Sequence, residues 1–532
     1  MISAKVAQMI SEMPADIAGD LNFSTDEYLR RYKRVREAMK KKKIDALLVC
    51  GSSEYFSSRN SSLQYFTGPN VKAGLGVNYA IIPLKGREAL FTTNGPQLFS
   101  FLSTYPRIPI EPIASAPKKG TLNVPNHAQS IVGYLQTAGL KNGRLGISSL
   151  DICAAEVYNA LHKAFPDTEL VDTFDLVNEV RQIKSEEEIT FLRRSAFIAD
   201  VGISALIEYV RPGVSINECL RVVDNAMVAA GATSTQGFNM IGGGTFPDQM
   251  ERSFRGSPYR YRNGDIVTNE LTSEYKGYYT QISKPISLGT EPNQAFQEYE
   301  KINKIIYETL YAKFRPGVKI QSELDETGSD LARRMSDGVW GCIQSCKPTD
   351  LEQTHHQQDV SLQPGVSYTL MPWTSQTQGW SESDALPPIE NWSGHAWGNT
   401  LICTKKDPIV LHQTELGMVI KSKFDEILKI PEVDKEPTDS PDGNWKISFF
   451  MNLSGAQEKE MKVSSKGAFV DGNAIPFSFD EGSVSFELTI GTLQGPQHLE
   501  FKGWMIGNEI AGAFNIKDAP ATGQRNRFKA VR

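Results

Sequence analysis

The sequence predicts three successive parts: an α/β domain over residues 1–180, a duplicated α+β domain over 181–430, and a small all-β antiparallel barrel or sandwich over 444–532. Three observations carry this. Short apolar runs alternate with helix-like stretches in the first third, a near-repeat recurs in the middle, and the hydrophobic period changes to two near the end. A chain of 532 residues is also too long for one core.

In the first part the basic helix EYLRRYKRVREAMKKKK leads into DALLVC at residues 45–50, the pattern of a fully buried strand. NYAIIPL and EALFTT read as further strands, AQSIVGYLQTAGL as a helix and RLGIS as a strand, which together predict a mixed sheet with covering helices. At VRQIKSEEEITFLRR the texture changes. Ser185 is a helix N-cap there, with Glu188 three residues on as its capping-box partner. RPGVSINECL at Arg211 and RPGVKIQSEL at Arg315 echo each other 104 residues apart, and each Pro-Gly stops one helix before Ser or Gln starts another. KIPEVDKEPTDSPDGNW, residues 429–445, is the linker. Beyond it SFFMNLSG, AIPFSFDEG, SVSFELTIG, HLEFKGWMIGN and IAGAFNI alternate as short strands.

Composition excludes little but ranks the classes. At 40% hydrophobic and 22% charged the chain is an ordinary globular protein. A formal charge of −6 gives no general attraction to nucleic acid or anionic membranes, so neither is an expected partner. The first twenty residues lack the apolar segment of a signal peptide, and no run approaches a membrane span, so a cytoplasmic chain is expected. Six scattered cysteines, Cys50, Cys153, Cys219, Cys342, Cys346 and Cys403, are expected as free thiols. Cys342 and Cys346, four apart with no second pair nearby, are a weak zinc signal. GGGT at residues 242–245 lacks phosphate-loop spacing and reads as a turn near a cleft.

KSEEEI opening a helix, the duplicated RPGV, NGDIV before a strand, YKGYYTQI and LQPGVSYTLMPW together resemble the creatinase, aminopeptidase P and methionine aminopeptidase superfamily, over about residues 25–420. The resemblance implies an N-terminal domain of creatinase type, a duplicated pita-bread catalytic domain, and a homodimer. The metallopeptidases of that family hold two divalent ions with Asp, Asp, His, Glu and Glu, a carboxylate-rich set that suits hard or borderline cations. On those positions this chain has Glu270 and, eleven residues on, Gln281, then Pro348, Met371 and Gly398. One carboxylate among Gln, Pro, Met and Gly predicts a site with no metal and no other cofactor.

Creatinase and ectoine hydrolase, also of this family, are metal-free C–N hydrolases, so the resemblance leaves enzymatic chemistry open. Their catalytic histidine maps near Arg252, which cannot act as a base but can grip an anion. The hairpin glutamate of creatinase maps near Ser283, a second departure. His355 falls on the family's substrate-polarising histidine, and His356 follows it. Glu270 reads either as the acid–base group, its pKa raised by an apolar Met371, or as a carboxylate neutralised by Arg252. Gln281 orients, while Trp373 and Trp397, with Trp380 and Trp392, offer an aromatic wall or else a hydrophobic floor.

The expectation is therefore a metal-independent creatinase-like enzyme in specialised metabolism. It would act on a small organic substrate by C–N hydrolysis or related proton-transfer or elimination chemistry. The alternative is a catalytically inactive pita-bread protein that binds a peptide or protein.

Overall fold

The computed structural model describes residues 2–51, 58–68, 78–93, 108–121, 124–140, 142–233, 239–244, 251–253, 257–289, 291–292, 294–325, 327, 339–343, 361–376, 393–422, 440–451, 455–480, 483–492, 495–506, 508–517 and 526–532. At 251–253, 339–343, 373–376 and 393–396 the description is of the backbone.

The chain divides into two compact units, one of residues 1–376 and 393–422, the other including 423–532. In the first unit, the helix Thr25–Lys42 is capped by Ser24, whose hydroxyl accepts from the Glu27 amide, and ends on Lys43 in the left-handed conformation. It is followed by a six-stranded mixed sheet in the order Glu111–Ser115, Ala89–Thr93, Asn78–Pro83, Ala46–Gly51, Gly143–Ile147, Thr168–Asp172. The central strand Ala46–Gly51 is buried along its whole length, as its unbroken apolar run predicts. It pairs antiparallel with Asn78–Pro83 and parallel with Gly143–Ile147.

The long helix Glu186–Tyr209 opens with the expected capping box, in which Ser185 Oγ accepts from the Glu188 amide while Glu188 Oε2 accepts from the Ser185 amide. The two Pro-Gly echoes both turn through glycines in the left-handed region, Gly213 at φ 88° and Gly317 at φ 94°. Their sequels differ. After the first, Ser215 caps a helix Ile216–Ala229 through a second capping box with Glu218; after the second, the described residues show the π-helical stretch Ile320–Asp325 and a helical Thr327. A second sheet runs Val419–Lys421, Ile286–Leu288, Ile266–Tyr275, Met240–Gly244, Glu251–Ser253, with Tyr278–Ile282 also paired to Ile266–Tyr275. No helix among the described residues is long and apolar enough to cross a membrane.

The second unit holds nine antiparallel strands in the order Asn473–Ile475, Gly467–Val470, Gly455–Ser464, Gly443–Met451, Asn526–Val531, Glu509–Ile516, Gly495–Ile506, Ser483–Thr492, Phe477–Asp480. The two outer members are one chain run broken at Pro476, which lacks the amide a continuous ladder needs. Pro476 O accepts from the Glu487 amide at 3.2 Å, so the broken strand joins both ends of the order and the sheet closes into a barrel. Its interior holds Trp445, Ile447, Phe449, Phe486, Phe501, Phe514 and Phe528, all buried. The linker expected at 429–445 is corrected at its end: the first barrel strand starts at Gly443, and Trp445 is already core at 1% exposure. The polar look of DGN hid the start of that strand.

Candidate functional site

The site is built on one hairpin. Strands Ile266–Tyr275 and Tyr278–Ile282 are joined by Lys276 and Gly277, both in the left-handed region at φ 50° and 86°, the two-residue turn whose twist matches the strands it connects. A left-handed lysine is strained, and it is held. Its amide donates to Thr233 Oγ1 at 2.8 Å and its Nζ to Leu21 O at 2.6 Å. The turn fixes the register, with Gln281 opposite Thr272 and therefore diagonal to Glu270.

Glu270 is 4% exposed, and Gln281 Nε2 donates to Glu270 Oε2 at 3.4 Å. The Gln281 backbone is clamped in turn by Thr400, whose Oγ1 accepts from the Gln281 amide at 3.0 Å and donates to Gln281 O at 3.2 Å. Thr369 Oγ1 lies 3.2 Å from Thr400 Oγ1. Alternation along the strand puts Thr268, Glu270 and Thr272 on one face. Both threonine hydroxyls are buried with no hydrogen-bond partner among the described residues. The opposite face is satisfied: Asn269 Oδ1 accepts from the Lys284 amide at 3.0 Å, and Ser273 Oγ lies 2.8 Å from Ser195 Oγ. The amide of Thr272 donates to Asn239 Oδ1 at 2.9 Å, and Asn239 donates to Asp224 Oδ1 at 3.2 Å. Burial raises the Asp224 carboxyl above the ordinary range, against the hydrogen bond from Asn239. Thr268, Thr272, Thr369 and Thr400 were missed from sequence. The period-two spacing through TNELT marks the first two.

Met371 is fully buried, at 0% exposure. Gly398 pairs its backbone with Ser283, donating to Ser283 O at 3.2 Å and accepting from the Ser283 amide at 3.1 Å. A Cβ at Gly398 would lie 2.1 Å from Leu370 O and 2.6 Å from the Met371 Cα, both rigid backbone. This position therefore has neither a metal donor nor room for one. Gln281 is neutral, with its amide turned to Glu270. Among the described residues no three His, Cys, Asp or Glu side chains are placed to hold a metal ion. The donor side chains among the described residues do not fit two hard dications.

Of the other expected site residues, Arg252 lies on the strand Glu251–Ser253, opposite Gly242. Trp373 lies on the strand Pro372–Gln376, opposite Cys342. His355 and Pro348 lie outside the described residues, as do Trp380 and Trp392. Trp397 corrects the aromatic-wall expectation. At 4% exposure it is core, packed 5.2 Å from the Tyr307 ring in a cluster with Ile302 and Leu401, and its indole N–H donates to Glu300 Oε2 at 2.9 Å. An isolated tryptophan near a predicted cleft carries no signal that separates wall from core.

Residues 31–183 match the creatinase/prolidase N-terminal domain, and residues 190–405 match metallopeptidase family M24. These two domains belong to the creatinase/M24 pita-bread superfamily. The uncharacterized peptidase YqhT of Bacillus subtilis (strain 168) is 25% identical over 259 residues, which span 49% of this chain and 65% of that protein. The creatinase of Bacillus sp. (strain B-0618) is 25% identical over 320 residues, 57% of this chain and 71% of that one. The solved Xaa-Pro dipeptidase from Bacillus anthracis superposes with a TM-score of 0.57 at 20% identity, covering 74% of this chain and all of its own, a likeness of fold.

Proposed function

We propose that this chain is a hydrolase of the creatinase/M24 superfamily that cleaves a C–N bond in a small organic substrate without a two-metal centre. The observation that carries the reading is the packing at Gly398, which the family resemblance aligns with the last metal-binding glutamate and whose backbone surroundings admit no side chain. The superfamily membership and peptidase and creatinase relatives support hydrolysis. With no metal to activate water, the chain itself must supply the base and the charge stabilisation. Glu270 is the buried carboxylate midway along the strand Ile266–Tyr275, and the Gln281 amide orients it. The hydroxyls of Thr268 and Thr272, on the same face, are in place to hold the polar atoms of a bound substrate.

The test is turnover of X-Pro dipeptides and of amidino and guanidino acids, with and without a strong chelator, by the wild type and Glu270→Gln. Activity should survive the chelator, and the variant should lose about 10²–10⁴-fold in kcat with KM little changed. Activity that disappears with the chelator, or a variant with unaltered kcat, contradicts the proposal.

A further inference from the structure

Away from the cleft, the sheet of the first unit brings two thiols together. Cys50 lies near the end of the strand Ala46–Gly51, at 0% exposure, and its amide donates to Ser148 Oγ at 3.1 Å. Cys153, 103 positions further along, follows the turn Leu150–Ile152 and stands two residues before the helix Ala155–Ala164. It is half-buried and packs against the same core cluster that contains Cys50, and the two side chains hydrogen-bond each other. Tyr79, the register partner of Cys50, is buried beside this pair.

The pair is asymmetric. The hydrogen bond from Cys50 lowers the Cys153 thiol below its ordinary range against the opposing effect of burial, and the Tyr158 amide in the first turns of the helix adds to the lowering. The same hydrogen bond raises Cys50, with burial and the carboxylates of Asp151 and Asp172 acting in the same sense. Of the two, Cys153 is the thiol that gives up its proton more readily. Burial also raises Cys219, and pushes Cys403 up to about 11. Among these four cysteines only Cys153 combines a lowered thiol with partial exposure.

We propose that Cys153 and Cys50 form a thiol–disulfide exchange site for low-molecular-weight disulfides of the glutathione class. The Cys153 thiolate attacks one sulfur of the small disulfide, forming a mixed disulfide and releasing one thiolate. Cys50 gives up its proton to that leaving thiolate and attacks the Cys153 sulfur. The Cys50–Cys153 bond forms and the second small thiol leaves. Two protein thiols are oxidised and one disulfide is reduced to two thiols, so electrons and protons balance. Reaching the S–S length of about 2.05 Å requires one side to move, and the turn carrying Cys153 is the half-buried partner, while Cys50 is fixed in a central strand.

The experiment treats the native full-length protein with oxidised glutathione, quenches in acid and maps disulfides by mass spectrometry. The expected product is a Cys50–Cys153 linked peptide that a dithiol reverses. Cys50→Ser should instead keep a stable glutathione adduct on Cys153, and Cys153→Ser should leave Cys50 unmodified. Timed alkylation of untreated wild type, which needs no substitution, should label Cys153 before Cys219 and Cys403. The inference is overturned if the linked peptide forms only after unfolding in urea, or if native Cys153 is alkylated no faster than those two buried thiols.

Discussion

The barrel interior and the cleft strand are both buried β-structure, and they are built on opposite rules. Inside the barrel the inward positions are apolar, and their rings interlock. Phe486 and Phe501 stack at 4.6 Å, Phe501 and Phe514 at 5.0 Å, and Phe528 meets Phe501 edge-on at 5.1 Å. The strand Ile266–Tyr275 is buried along its whole length as well, yet six of its ten residues are Thr, Asn, Glu, Thr, Ser and Glu. One of its faces is hydrogen-bonded within the fold; the other keeps the Thr268 and Thr272 hydroxyls without partners beside Glu270. Desolvated hydroxyls left unpaired destabilise a fold. The barrel sheet is made for packing, whereas the strand Ile266–Tyr275 keeps two buried hydroxyls with no partner among the described residues.

The comparison can be broken at its apolar end first. Phe501→Ala removes the ring at the centre of the barrel cluster and should cost about 3–5 kcal/mol of barrel stability. Hydrogen exchange would report it as lost protection in residues 443–531, with the strand Ile266–Tyr275 unaffected; equal loss in both would mean that the two cores are not independent. A smaller penalty is expected at Gly398. Gly398→Ala forces a methyl against Leu370 O and should destabilise by about 1–3 kcal/mol, read as a lower Tm. An unchanged Tm would show that the backbone yields there and that a glutamate is sterically admissible. The smallest effect has the opposite sign. Thr272→Val swaps an unpaired buried hydroxyl for a methyl of the same shape and should gain about 1 kcal/mol. A loss of stability would mean the hydroxyl has a partner within the fold, and the contrast with the barrel would fail.

Much of this was legible in the sequence because the signals are local. Ser185 and Glu188 announce a capping box by spacing alone, DALLVC announces a buried strand, and Lys276-Gly277 between two aromatic runs announces a tight hairpin. The strand Gly455–Ser464 escaped notice because its sequence, GAQEKEMKVS, alternates charged outward residues with only Met461 and Val463 inward. The two Pro-Gly echoes were legible for the same local reason: each stops a helix, and Ser215 with Glu218 opens the next as a capping box, while the chain after Gly317 opens on the π-helical turns Ile320–Asp325. In the site, the resemblance placed Gln281, Met371 and Gly398 on the family's ligand positions from spacing alone. That Gly398 has no room for a side chain could not be read, because the atoms that exclude it belong to Leu370 and Met371, brought beside it only by folding. Trp397 was misread because burial against Tyr307 and Glu300 is likewise a tertiary fact.

The central claim is that the cleft around Glu270 and Gln281 works without the two-metal centre of the M24 peptidases. Calorimetric titration of the chelator-stripped full-length protein with Mn²⁺, Co²⁺ and Zn²⁺, alongside elemental analysis of the protein as purified, tests it most directly. The account predicts no ion held near stoichiometry and no heat of binding that Glu270→Gln abolishes. Two ions per chain, bound in a manner that disappears with Glu270→Gln and required for turnover, would contradict it.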